Sequence, residues 1–262
     1  MKQITGGVTA PKGFWAGGVH CGVNTHNTSK KYLALILSQQ ECTVAATYTM
    51  NRVKAAPIYV TMDHLEDGTA WGIVANSGNA NACAPMSHEY AEQMCVAAAK
   101  ATGHQPSDFV VASTGVIGQT INIGAIEAGM PAAAAALSSE ASGSDAAAHA
   151  IMTTDTEKKE IALTCSIGGK TVTLGAIAKG SGMIHPNMGT MLCFITTDCA
   201  ITHEMLSEAL HEVVPRTFNR GTVDGDTSTN DMCVVLANGM AENPLVEWKD
   251  DNYTVFVKAL RQ

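Results

Sequence analysis

Apolar, β-branched runs recur along the chain between turn formers and charges, and each predicts a short strand: residues 32–37, 43–49, 58–62, 71–76 and 109–113. Residues 86–102 carry the spacing of a helix, with Tyr90, Met94, Ala97, Ala98 and Ala101 on one face. Asn122 stands where it would cap a helix from Ile123, which Pro131 should interrupt, and residues 145–153 read as a further helix. Residues 161–167 and 171–178 flank Gly168-Gly169 and predict a hairpin. An apolar strand follows at 191–196. Thr202 then caps a helix that turns Met205, Leu206, Ala209, Leu210, Val213 and Val214 inward, and 232–237 predicts one more buried strand. Strands and helices alternate, so the expected class is α/β or α+β in packed layers. Ser and Gly accumulate at 138–144, which reads as a surface loop, and residues 1–262 are taken as a single globular unit.

Composition narrows the possibilities. Of 262 residues 46% are hydrophobic and only 15% charged, which excludes disorder and coiled coil. Sixteen basic against 24 acidic side chains leave a net charge of −8, which speaks against phosphate-backbone binding. No apolar run approaches a membrane span, and residues 1–7 lack the core of a signal peptide, so the expectation is a soluble, cytoplasmic protein. The eight cysteines include no C-x-x-C pair and read as buried small hydrophobes, with neither a disulfide framework nor a zinc site expected.

Five segments carry candidate chemistry. In Lys179-Gly180-Ser181-Gly182-Met183-Ile184-His185-Pro186-Asn187-Met188-Gly189-Thr190-Met191-Leu192, a Gly- and Pro-bearing loop separates two apolar strands, and Thr190 opens the second. Were the bond before it cut, Thr190 would hold a free α-amine beside its own hydroxyl. An α-amine titrates near pH 8, close enough to act as base for a hydroxyl that is otherwise a weak nucleophile. The same hydroxyl could attack the Gly189 carbonyl and cut the chain through an ester. By spacing alone, Gly189-Thr190 reads first as an ordinary strand start, and Lys179 could equally be a solvated cation. Ser113-Thr114-Gly115-Val116-Ile117-Gly118 is either an oxyanion-binding strand end or a turn. Residues 75–83 are either a polar binding loop or a hydrogen-bonded turn, and Met152-Thr153-Thr154-Asp155-Thr156 either lines a pocket or ends a helix. Asp224 to Asp231 fails the calcium-loop template, with Thr229 where Gly is required and Val235 where Glu is required, and reads as a loop bonded to itself.

Taken in order, these segments together with Thr49 to Pro57 and Gly7 to Phe14 resemble the ornithine acetyltransferase (ArgJ-type glutamate N-acetyltransferase) family of arginine biosynthesis. The resemblance runs from the N-terminus to Gln262. It implies an αββα sandwich and self-cleavage between Gly189 and Thr190 into an α chain, 1–189, and a β chain from 190 onward, paired as an α2β2 heterotetramer. It implies acetyl transfer from N2-acetyl-L-ornithine to L-glutamate through an acetyl-Thr190 ester, without a metal or cofactor, with acetyl-CoA a possible second donor. Thr114 and Gly115 match the oxyanion-stabilising pair. Thr153 and Lys179 match substrate-binding positions, with Thr154 the alternate for Thr153. Gly189 stands where the family usually has Ala, and Ala84-Pro85 where Thr-Gly is frequent. A substrate-binding Glu in a D-G-E-G-A-T-K segment and polar residues near the family C-terminus have no counterpart up to Gln262, so the chain is expected to be truncated. An N-terminal-nucleophile amidohydrolase or aminopeptidase of the same architecture, or an inactive fragment, are the alternatives.

Overall fold

The computed structural model describes residues 1–25, 27–180, 191–220 and 227–262. In chain order the elements are β1 (Lys2–Ile4), β2 (Phe14–Val19), β3 (Leu33–Tyr48), α1 (Ala56–His64), β4 (Thr69–Asn76), α2 (Ser87–Thr102), β5 (Phe109–Ser113), α3 (Ile123–Ala135), α4 (Ala141–Ile151), β6 (Lys159–Ile167), β7 (Lys170–Lys179), β8 (Leu192–Thr197), α5 (His203–Val213), β9 (Met232–Ala237) and α6 (Asp251–Arg261). The strands run β1-β6-β7-β8-β9-β3-β4-β5, with β2 also paired to β3.

The sheet turns on β3. Residues 33–38 pair with β2, while residues 43–48 of the same edge pair with β9. Along its other edge β3 pairs with β4, and the register slips between Leu37 and Cys42, where β3 carries extra residues. Gly72 lies beside this slip, and any side chain there would press on the Ile36 carbonyl at 2.5 Å. The two halves fold over each other. Ile36, Ile73, Ala75, Val110 and Ala112 from one half share a buried core with Ile177, Leu192, Phe194, Val234 and Leu236 from the other. The outer face of β6–β9 is covered by α5 and α6, and that of β4–β5 by α2 and α3. The result is the expected α/β fold in αββα layers. Helix α4 packs against β2, where Gly18 lets the Ala146 carbonyl approach.

Most predicted elements stand, and the differences have physical causes. Residues 32–37 and 43–49 are one strand instead of two, because the intervening polar residues sit in the bend. Residues 58–62 are helical: Pro57, Ile58, Val60 and Thr61 are buried while Tyr59 and Met62 are exposed, a helical spacing that begins at a proline in the first turn. Helix α3 starts on the Asn122 cap as expected and continues through Pro131, which faces solvent, so the carbonyl it leaves unbonded is open to water. Residues 138–144 are no free loop. Ser138 exchanges backbone bonds with Ala16, α4 begins at Ala141, and Ser144 Oγ accepts from Val8 N–H at 3.0 Å. Gly168 and Gly169 turn the hairpin with φ of +54° and +80°. Elements β1, β2 and α6 lay outside the sequence expectations. In α6 the spacing of Tyr253, Phe256 and Ala259 forms the buried stripe. All eight cysteines are free, six of them buried. Among the described residues no helix is long and apolar enough to cross a membrane, and no side-chain cluster suits a metal ion.

Strand β5 closes one end of the sheet, and its outer backbone groups need partners. The Thr61 hydroxyl of α1 supplies both, donating to the Val111 carbonyl at 2.8 Å and accepting from the Val111 N–H at 2.9 Å. Thr61→Val keeps the shape and strands both groups in a dry interface. It should cost about 1–3 kcal/mol, read from urea unfolding.

Candidate active site

Folding the sheet over itself brings the C-terminal end of β5 to the C-terminal end of β7. Thr114, one residue past β5, donates its N–H to the Asn76 carbonyl at 2.9 Å. Gly115 has a φ of +130°, and a Cβ there would lie 2.9 Å from the Asn79 amide nitrogen, so the position admits only glycine. The Asn-rich segment after β4 supports this turn. Asn76 Nδ2 donates to Ser113 Oγ at 2.7 Å, and its Oδ1 accepts from the Gly78 and Asn79 amides, each at 3.1 Å. Of the two sequence readings of residues 75–83, the structure shows the hydrogen-bonded turn.

Lys179 closes β7 with its side chain directed to the inner core. The residue is 2% exposed, and Nζ donates to Thr114 Oγ1 at 3.2 Å. That bond fixes the Thr114 hydroxyl as acceptor toward the ammonium and leaves its proton to be donated elsewhere. A hydroxyl polarised by a cation and a glycine turn beside it form a donor pair suited to a developing oxyanion. Burial pulls the Lys179 ammonium down from its ordinary value, and the charges of Asp155 and Asp231 oppose the shift.

Asp155 ties the Thr-rich segment to the end of β7. Oδ2 accepts from the Thr153 N–H at 3.2 Å, and Oδ1 accepts from Gly180 N–H at 2.8 Å and Lys159 Nζ at 2.7 Å. Burial raises its carboxyl, but these three bonds and the Lys179 charge outweigh it and hold the pKa below the usual range. Thr153 is half-buried and anchored at this end of the sheet, whereas Thr154 is exposed. The structure therefore places Thr153, Lys179, Thr114 and Gly115 in one neighbourhood. Gly189 and Thr190 lie outside the described residues.

The segment from 227 to 231 proves to be a brace as well as a self-bonded loop. Asn230 takes a bond from Thr229 Oγ1, yet its Nδ2 reaches the carbonyls of Ala80 and Ser113 at 2.6 and 2.9 Å. The Thr49 hydroxyl and Asn51 Nδ2 hold the Ser228 and Thr227 carbonyls at 2.6 and 2.8 Å. Asp231 ends the run, 1% exposed, with Oδ1 accepting from the Met191 N–H at 2.7 Å. Its Oδ2 is buried without a hydrogen-bond partner among the described residues. Burial pushes this carboxyl up to about 8, against the Met191 bond, the nearby Ser228 and the Lys179 charge. A carboxyl that holds its proton more tightly than in water thus bonds the amide of Met191, the residue that follows position 190 in the sequence. Sequence reasoning missed Asp231, Asp155 and Asn230 as site residues, because nothing in a local Asp or Asn reveals which distant amide it will meet.

An apolar cavity of about 630 Å³ lies elsewhere, lined by Leu163, Leu174, Ala176, Leu210 and the last residues of α6. Lys159 is among its lining residues, but Thr114, Thr153, Asp155, Lys179 and Asp231 are not.

A carboxyl that titrates near 3.8 when unfolded and near 8 when folded binds its proton more tightly in the folded state. Its contribution is complete below pH 4 and is lost as pH rises through 8. Asp231→Asn removes that loss, so its melting temperature relative to the parent should climb between pH 5 and pH 8.5. Parallel thermal melts across that range check the sign.

A model of the ArgJ family matches residues 15–262. The arginine biosynthesis bifunctional protein ArgJ of Symbiobacterium thermophilum is 52% identical over 261 residues, covering 99% of this chain. This chain spans 64% of that relative's length. Among solved structures, the arginine biosynthesis bifunctional protein ArgJ of Bacillus halodurans is 36% identical with a TM-score of 0.67, covering 72% of this chain and 97% of its own. The ornithine acetyltransferase of Mycobacterium tuberculosis, solved with ornithine, is 34% identical with a TM-score of 0.63, covering 71% and 96% respectively.

Proposed function

The chain belongs to the ArgJ family, and from that premise we propose that it acts as a self-cleaving glutamate N-acetyltransferase, moving acetyl from N2-acetyl-L-ornithine to L-glutamate. The observation that carries the reading is the meeting of Lys179 with Thr114 at 3.2 Å beside Gly115, at the strand end that leads into Thr190. Cleavage would begin with Thr190 Oγ attacking the Gly189 carbonyl. The peptide nitrogen leaves as an amine, an ester forms, and water opens it. The two solved relatives match 71–72% of this chain while nearly filling their own length. Residues 1–189 make up the same share, which is what separate chains meeting at Gly189 and Thr190 would give.

In the transfer itself, Thr190 Oγ attacks the acetyl carbonyl and its proton passes to the new α-amine. Thr114 and Gly115 face the oxyanion, the proton moves to the departing ornithine nitrogen, and an acetyl ester remains. The glutamate amine attacks that ester, and the proton returns to Oγ as acetylglutamate leaves. One amide is exchanged for another through an ester, so no energy-rich cofactor is needed. Each well-placed oxyanion donor is worth roughly 3–4 kcal/mol. Lys179 and Thr153 hold substrate, Lys179 as a point charge for a carboxylate. Acetyl-CoA as a second donor, an α2β2 assembly and a cytoplasmic location complete the proposal. Eight free thiols suit that compartment.

Purified protein should run as two bands on a denaturing gel, the newly exposed N-terminus reading Thr-Met-Leu, and Thr190→Ala should give one. Incubation with acetylornithine should add one acetyl group to the chain starting at Thr190, and ornithine release should require glutamate. Release in water alone would mark an amidohydrolase instead. Thr114→Val should lower kcat by about 10²–10³ with two bands still present, measured by steady-state transfer.

A further inference from the structure

The cations around Asp155 outnumber the anions. Lys159 pairs with Asp155 directly at 2.7 Å. Lys179 and Lys30 both feel the Asp155 charge, yet neither forms an ion pair with a carboxylate among the described residues. Among the described residues three ammonium groups thus gather around Asp155, two of them without a paired carboxylate of their own. Burying like charges together is costly unless an anion joins them.

Lys30 is held in place on every side. Its N–H donates to Asn27 Oδ1 at 2.9 Å, its carbonyl meets His20 Nδ1 at 2.8 Å, and its ammonium lies 5.2 Å from the centre of the Tyr32 ring. The ammonium donates to the Thr153 carbonyl at 2.9 Å, so it stands against the residue assigned to substrate. An ammonium has three donors, and this carbonyl takes one. Burial pulls the Lys30 ammonium down from its ordinary value, and the Asp155 charge opposes the shift.

The charges of the two substrates differ where it matters. Acetylornithine carries one carboxylate and one ammonium and is neutral overall. Glutamate with its amine free to attack carries two carboxylates and nothing to balance them. We propose that Lys30 binds the side-chain carboxylate of the acceptor glutamate, while Lys179 takes the α-carboxylate that both substrates share. This rests on the transfer reading above, and it makes Lys30 a specificity-determining residue for the second half of the reaction.

The test compares glutamate with glutamine, its neutral isostere, by calorimetric titration of the purified protein. The expected result is that the parent binds glutamate at least about tenfold more tightly than glutamine. Lys30→Met and Lys30→Gln should abolish that preference, and Lys30→Arg should keep most of it. Gln preserves a donor for the Thr153 carbonyl without the charge, so a merely structural role would weaken both ligands alike and leave their ratio unchanged. An unchanged ratio in Lys30→Gln, or equal affinities in the parent, would overturn the assignment. Because binding is read without turnover, a protein that discriminates the two ligands but transfers no acetyl group would sink the transfer reading alone.

Discussion

The structure depends on the bend in β3. A flat sheet in this strand order would leave Thr114 and Lys179 far apart, since β5 and β7 lie on opposite sides of β3. The extra residues between Leu37 and Cys42 let one strand serve both layers, and the core formed by Ile73, Val110, Phe194 and Val234 then holds the layers face to face. Burial on that scale supplies the driving force, at roughly 25 cal/mol per Å² of apolar surface removed from water. The polar contacts at the strand ends select the final geometry.

That geometry is maintained by amide and carboxylate side chains reaching across the chain. Asn230 joins residues from β5 and from the Asn-rich turn, Asp155 joins the segment after α4 to the end of β7, and Asp231 receives the amide ahead of β8. Each bonds backbone groups left over near strand ends, Asp155 and Asn230 alongside one side-chain partner apiece. The site is therefore assembled from the unsatisfied ends of the sheet, which accounts for its richness in Asn, Asp and Thr and its poverty in aromatic residues.

How much of this was legible in the sequence follows from the range of each interaction. Strands β5 and β9 were read with their observed limits, because an apolar run between turn formers is a local signal. The Asn122 and Thr202 caps were equally visible, each requiring only an amide three residues on. Residues 58–62 misled because β-branched side chains in a short run look alike in either state, and only burial on both Pro57 and Thr61 reveals the helical period. The bend in β3 was invisible, since it exists only relative to the register of β4. Thr114, Gly115, Thr153 and Lys179 were assigned through resemblance, and the structure brings them into one neighbourhood. Asp231 and Lys30 escaped because their importance lies in a distant amide and a distant carbonyl.

The position of β8 has one more consequence. It runs between β7, antiparallel from Leu192 opposite Lys179 to Thr197 opposite Leu174, and β9, parallel over the same residues. Severing the connection ahead of it would leave both ladders intact. The pieces would then be kept together by the sheet alone, as a split protein is by its complement, and would part only in denaturant.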